Sequence, residues 1–234
     1  MPAIPQAAQA ERRYLQAAAA GLRIQRAEGA PPAIEGYGAV FYRAGDPGTE
    51  FELFTDNFER IMPGAFDDQL SGDVRSLFNH DSNWVLGRTK SDPQTLQLSV
   101  DQVGLRYRVT PPDTQAVRDQ VLAPIQRGDV DGSSIMFFPV RTSWVQEYRD
   151  GREVWIRQLE KVQLLESGPV TFPAYMGTTA GVRAMGDAGG LQALAADRDA
   201  WLAGQRRAGD WDTALVQARL REVELLEDRL RAKR

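Results

Sequence analysis

Ser143-Trp144-Val145-Gln146-Glu147-Tyr148, then Arg149-Asp150-Gly151-Arg152-Glu153, then Val154-Trp155-Ile156-Arg157-Gln158-Leu159 is the stretch that decides the fold class. Asp-Gly between two strand-forming runs is a strong short-range hairpin signal, because both residues tolerate the positive φ of a tight two-residue turn. Working outward toward the N-terminus, Leu96, Leu98 and Val100 alternate with polar residues. Leu105, Tyr107 and Val109 do the same, with Gln102-Val103-Gly104 as the turn between them. Ile34 to Tyr42 is glycine-punctuated and aromatic, and Val74 to Phe78 is short and apolar. Two helices interrupt this pattern. One is short, near Ala65 to Leu70; the other runs from about Thr114 to Gln126, capped by Asp113 or Thr114 and stopped near Gly128. A β-rich α+β body follows.

The flanks read differently. Residues 6–24 are alanine-rich, with Leu15, Ala18, Ala19 and Leu22 at helical spacing, and Gly29-Ala30-Pro31-Pro32 closes that segment. Beyond Gly189 a helix is expected over Leu191 to Leu202, then a break from Gly204 to Gly209. A second helix capped by Asp210 carries Val216, Leu220, Val223, Leu226 and Leu230 on one stripe. That stripe fits a self-associating or partner-binding helix, and fits equally a helix packed on its own core. The expected organisation is a helical N-terminal extension over 1–32, a body over 33–182 and a helical C-terminal extension over 183–234.

Composition removes several function classes. The chain of 234 residues has no cysteine, which excludes disulfides, thiolate nucleophiles and cysteine-ligated zinc. It has one histidine, His80, so a histidine-rich metal centre is excluded and any imidazole relay must use that residue. No cofactor and no metal are expected. Formal net charge is −4. Residues 1–30 carry +2 and residues 191–234 carry +1, which leaves −7 between them. An acidic body argues against a broad nucleic-acid-binding face. No apolar run approaches the roughly 18 residues that cross a bilayer. Glu11, Arg12 and Arg13 also interrupt any leader-like pattern, so a soluble, unexported protein without a membrane partner is expected.

Three clusters could carry chemistry. His80 follows the apolar run Val74-Arg75-Ser76-Leu77-Phe78, and a strand end is where a scaffold can hold an imidazole at a cleft. The ordinary reading is a lone hydrogen-bonded histidine. Gly128 to Phe138 brings glycines around a tight turn and then Ser133-Ser134 into an apolar strand, which suits a nucleophile presented against backbone N–H donors. The ordinary reading is a helix-to-strand loop. It is not the nucleophile elbow of α/β-hydrolases, which disfavours a small-substrate esterase. Glu166, within Leu164-Leu165-Glu166-Ser167-Gly168-Pro169-Val170, is an acid inside an apolar strand, where burial is costly without a partner. Asp81 is its rival as partner to His80, although in an extended segment its side chain would point away from its neighbour's.

Taken in order, these stretches resemble the caudovirus prohead serine protease family. The likeness runs through Ile34-Glu35-Gly36-Tyr37-Gly38-Ala39-Val40-Phe41, Phe58-Glu59-Arg60-Ile61-Met62-Pro63-Gly64-Ala65-Phe66, and Phe78-Asn79-His80-Asp81. It continues through Val85-Leu86-Gly87-Arg88, Gly104-Leu105, Gly132-Ser133-Ser134 and Pro169 to Tyr175, covering roughly residues 34 to 180. The resemblance implies a herpesvirus-protease-like β-barrel surrounded by helices, with peptide-bond hydrolysis inside an assembling capsid. It places the family histidine on His80, the serine on Ser134, the closing aromatic on Phe137 and the acid on Glu166. Met136 stands where the family usually has glycine, and Ser133 beside Ser134 leaves a one-residue register to be settled.

The implied substrates are the scaffold segment of the major capsid protein and the chain itself, with self-cleavage expected near 25–35 and beyond about 180. The implied setting is the host cytoplasm, inside the assembling procapsid, and a homo-oligomer is expected. The alternative is a non-catalytic capsid-assembly or scaffolding protein that keeps the protease fold.

Overall fold

The Asp150-Gly151 turn forms as the dipeptide dictates, with φ of 50° and 75° at its two residues. It joins two very long strands that dominate the structure, a computed structural model whose described residues are 10–172, 192 and 194–204. In chain order the strands are β1 (Glu11–Leu15), β2 (Arg23–Gln25), β3 (Ala33–Val40), β4 (Phe51–Phe54), β5 (Asn57–Ile61) and β6 (Arg75–Leu77). They continue with β7 (Val85–Arg88), β8 (Leu96–Val100), β9 (Gly104–Val109), β10 (Gly132–Arg149) and β11 (Arg152–Val170).

Two sheets result. The first runs β1-β10-β11-β5-β4, and β11 also pairs farther along its length with β6, which pairs β7. The second is β2-β3-β9-β8. Both faces of β3 are buried, and its Gly38 lies against the β10–β11 pair. A Cβ there would fall 2.3 Å from Ser167 Oγ and 3.0 Å from Ile135. Glycine therefore lets the two sheets approach closely at that point. Ile34, Phe66, Leu105, Val121, Ile135 and Phe137 form the shared core. The β-rich α+β expectation stands. Hydrogen-bonded pairing among the described residues gives two sheets and no closed barrel.

The helix expected over about 114–126 is present as one helical run over 115–127. Thr114 Oγ1 accepts from Val117 N at 3.3 Å, and Gly128 ends the run with φ of 82°. Its middle, Arg118–Leu122, has π geometry. Pro124 follows two residues after it, and a proline inside a helix removes one hydrogen bond and crowds the preceding turn, which a π turn relieves. The short helix expected near Ala65 is a single 3₁₀ turn, Asp67–Gln69.

The N-terminal segment corrects the sequence reading. Residues 11–25 are not a helical extension. Only Ala17–Ala20 makes one helical turn, which Gly21 stops with φ of 53°. Glu11–Leu15 is a strand whose residues alternate between buried and half-buried, and Arg23–Gln25 pairs β3. Alanine favours helix only weakly per residue, and a short isolated helix is marginal in water. An open edge of β10 satisfies the same backbone groups and buries three side chains as well. Residues 1–190 and 191–234 form two compact units. In the second, 194–204 is helical, overlapping the helix expected over 191–202 and running on through Gly204, where a break was expected. The boundary expected at 182/183 and the apolar stripe from Val216 to Leu230 lie outside the described residues.

Candidate active site

Three sequence-distant elements meet at one point. Ser134 lies near the start of β10 and Glu166 near the end of β11, and the strands pair so that Ser134 faces Gly168 and Met136 faces Glu166. Directly opposed residues share a sheet face, and diagonal neighbours lie about 7–8 Å apart. Ser134 and Glu166 are such a diagonal pair, a separation that an imidazole can span. Gly168, opposite Ser134, puts no side chain on that face.

His80 arrives from the turn after β6. Asn79 and His80 both have positive φ, 56° and 59°, a conformation that costs energy for residues with a Cβ and is held only where surroundings impose it. Here Asn79 N donates to Pro169 O at 3.1 Å, and Asn79 Oδ1 accepts from Thr171 N at 2.7 Å. Asn79 Nδ2 donates to Thr171 Oγ1 at 3.0 Å. The turn is thus fastened to the end of β11. Gly168 permits the approach, because a Cβ there would lie 2.3 Å from Leu77 O.

The outcome is a hydrogen-bonded row. His80 Nε2 lies 2.7 Å from Ser134 Oγ, and His80 Nδ1 lies 2.5 Å from Glu166 Oε2. The His80 and Glu166 side chains are almost wholly buried, and Ser134 is fully buried. With Nδ1–H donated to the carboxylate, Nε2 is free to accept a proton from the hydroxyl. An acyl-transfer site requires that arrangement.

Neither rival reaches the row. Ser133 points to the other face of β10, where its Oγ sits 2.9 Å from Tyr107 OH. Asp81 Oδ1 accepts from Asn83 N and Asn83 Nδ2, both at 2.8 Å, and so closes its own turn. It misses His80 because the chain turns sharply there, not because the segment is extended as the sequence reading supposed. Met136 lies opposite Glu166, and the β10–β11 register slips between Met136 and Phe137. Glycine's freedom at that position is therefore not needed to form the irregularity.

The sequence reading missed a fourth element. β1 pairs antiparallel with the start of β10, with Tyr14 opposite Ser134 and Arg13 opposite Ile135. Ser134 Oγ lies 3.0 Å from Arg13 O, and the Tyr14 ring stands edge-on to His80 at 5.7 Å. On the opposite face, Glu11, Arg13, Glu59 and Arg157 form a buried four-charge cluster. Arg13 Nε donates to Glu59 Oε1, and Arg13 Nη2 donates to Glu59 Oε2 at 2.7 Å and Glu11 Oε2 at 2.6 Å. Arg157 Nη1 donates to Glu11 Oε2 at 2.8 Å and to Glu59 Oε2 at 3.1 Å. Alternation of Glu11, Arg13 and Leu15 was the one sequence signal for this strand, and the alanine run beside it masked that signal.

Burial pushes the Glu11 carboxyl up, but Arg13 and Arg157 together outweigh burial and hold it below the usual carboxylate range. A carboxylate depressed on folding contributes stability that is full above its unfolded value and lost as pH falls through the folded one. Arg13, Glu59 and Arg157 are the charged groups facing it. Amide protection of β1 is therefore expected to hold between pH 5 and 8 and to fall below roughly pH 4. Hydrogen exchange against pH measures this; full β1 protection at pH 3 would contradict it.

A buried hydroxyl, imidazole and carboxylate in one row, on a β-rich α+β scaffold, have the geometry of a serine hydrolase site. The sequence pattern of the caudovirus prohead serine proteases matches residues 20–188, and the chain belongs to that family. Membership implies a serine protease role in capsid maturation and interaction with capsid proteins. No curated protein matches the chain, and no solved structure does.

Proposed function

We propose that this chain is the serine endopeptidase of procapsid maturation, with Ser134 as nucleophile, His80 as base and Glu166 as the carboxylate that orients His80. The observation that carries this reading is the Ser134–His80–Glu166 row. His80 takes the hydroxyl proton as Ser134 Oγ bonds to the peptide carbonyl carbon. The C–N bond then breaks, and His80 returns the proton to the leaving amine. Water, deprotonated by His80 in turn, releases the acyl group and restores Ser134. Glu166 holds Nδ1–H and stabilises the imidazolium between these transfers.

The substrates are the scaffold segment of the major capsid protein and the chain itself, cut within the assembling procapsid in the host cytoplasm. The C-terminal unit serves as a docking or packaging element, and the active form is a homo-oligomer. The test is co-expression of the full chain with its capsid protein, followed by intact-mass measurement. The wild type is expected to yield a shortened capsid protein and a shortened protease, and Ser134→Ala to leave both at full mass. Identical masses in the two samples would favour the non-catalytic assembly protein instead.

A further inference from the structure

Resting on the proteolytic reading above, we infer that β1 occupies the substrate's place as a tethered mimic, and that Glu59 selects arginine or lysine where Arg13 now lies. Four observations converge on this. β1 is an extended segment added antiparallel to the edge of β10 beside the nucleophile, and edge addition is a general way for a protein to bind an extended peptide. The carbonyl nearest Ser134 Oγ, at 3.0 Å, is that of Arg13, so the peptide bond presented at the hydroxyl follows a basic residue. Arg13 reaches both oxygens of Glu59, a fully buried carboxylate on β5, through the forked contact that guanidinium makes best. The anchor is also separable. Glu11 and Arg13 both belong to β1, and their departure leaves Arg157 in place 3.1 Å from Glu59.

The same contacts explain why a chain folded this way would be latent. Ser134 is fully buried under β1, so an external peptide has no access. A hydroxyl has one proton to donate. Arg13 O, at 3.0 Å, competes with His80 Nε2, at 2.7 Å, for that proton, so β1 in place draws the hydroxyl away from its base. Release of β1 restores the Ser134 donation to His80 and frees the β10 edge for a substrate strand with the same spacing. Glu11, two residues before Arg13, meets Arg157 twice, at 2.8 and 3.0 Å, so an acidic residue there strengthens binding.

The experiment uses the full chain as Glu11→Ala/Arg13→Ala, which removes one charge of each sign. The probe is a fluorescent peptide copying residues 9–17. By anisotropy it is expected to bind the double variant at least about tenfold more tightly than wild type. Replacing its Arg13 equivalent with citrulline, which keeps the shape and loses the charge, is expected to weaken binding about tenfold or more. In parallel, a fluorophosphonate is expected to label Ser134 at least about tenfold faster in the double variant than in wild type. Tyr14→Gly, which loosens β1 without touching the charges, is expected to raise labelling in the same direction and stands in should the double variant fail to fold. Equal labelling of wild type and both variants at Ser134, with no preference for arginine over citrulline, would overturn the inference and leave the proteolytic reading intact. Arginine-dependent peptide binding without Ser134 labelling would uphold the strand site and overturn the proteolytic reading.

Discussion

Ser134→Ala is expected to lower cleavage of a capsid-scaffold substrate by about a million-fold, to the level left when a serine nucleophile is lost. Ser133→Ala, one residue away, is expected to keep most of the activity. The contrast follows from strand alternation. Ser134 Oγ faces His80 at 2.7 Å, whereas Ser133 Oγ faces the core and meets the buried Tyr107 hydroxyl at 2.9 Å. Loss of Ser133 leaves that hydroxyl without its partner, at about 1–3 kcal/mol in stability. A thermal melt should therefore report Ser133→Ala and a rate should report Ser134→Ala. The reverse result, with cleavage surviving in Ser134→Ala and lost in Ser133→Ala, would move the nucleophile by one residue and break the row.

The second large effect concerns the acid. Glu166→Gln is expected to cut turnover by about 10⁴-fold while the fold persists. An amide NH₂ opposite Nδ1 donates where the carboxylate accepted. In that orientation Nδ1 becomes the acceptor, which puts the proton on Nε2 and removes the base; with its oxygen turned to Nδ1 instead, the neutral amide lacks the charge that stabilises the imidazolium. Burial of Glu166 makes water a poor substitute for the lost acceptor. Asp81→Asn keeps its fold-closing contacts to Asn83 in part and is expected to change turnover by no more than a few-fold. Steady-state rates on one scaffold peptide decide between them. A larger loss in Asp81→Asn than in Glu166→Gln would show that the working form pairs His80 differently.

Local signals proved readable where local physics decides the outcome. Asp150-Gly151 needs only its own backbone freedom to turn the long hairpin, and both residues adopt the positive φ that the dipeptide implies. Thr114 and Gly128 bound their helix through groups three or four residues away, so its ends were legible although its π turn was not. The alternation through β8 and β9 shows directly in the burial of Leu96, Leu105, Tyr107 and Val109.

Glu11 to Ala20 went wrong for the complementary reason. Its preference for helix is small, and the competing term is a sheet edge some 120 residues away, which a local window does not contain.

The sequence by itself determined the hairpin, the capped helix, the family and the imidazole of any hydroxyl–imidazole–carboxylate row, because the first three rest on local motifs and His80 has no substitute. Only the tertiary structure decided that Ser134 and not Ser133 meets His80, that Glu166 and not Asp81 holds it, and that β1 covers both. Those choices turn on strand register, on the close approach that Gly168 allows and on a charge cluster drawn from β1, β5 and β11. Pairings between distant strands are settled by what fits together in space.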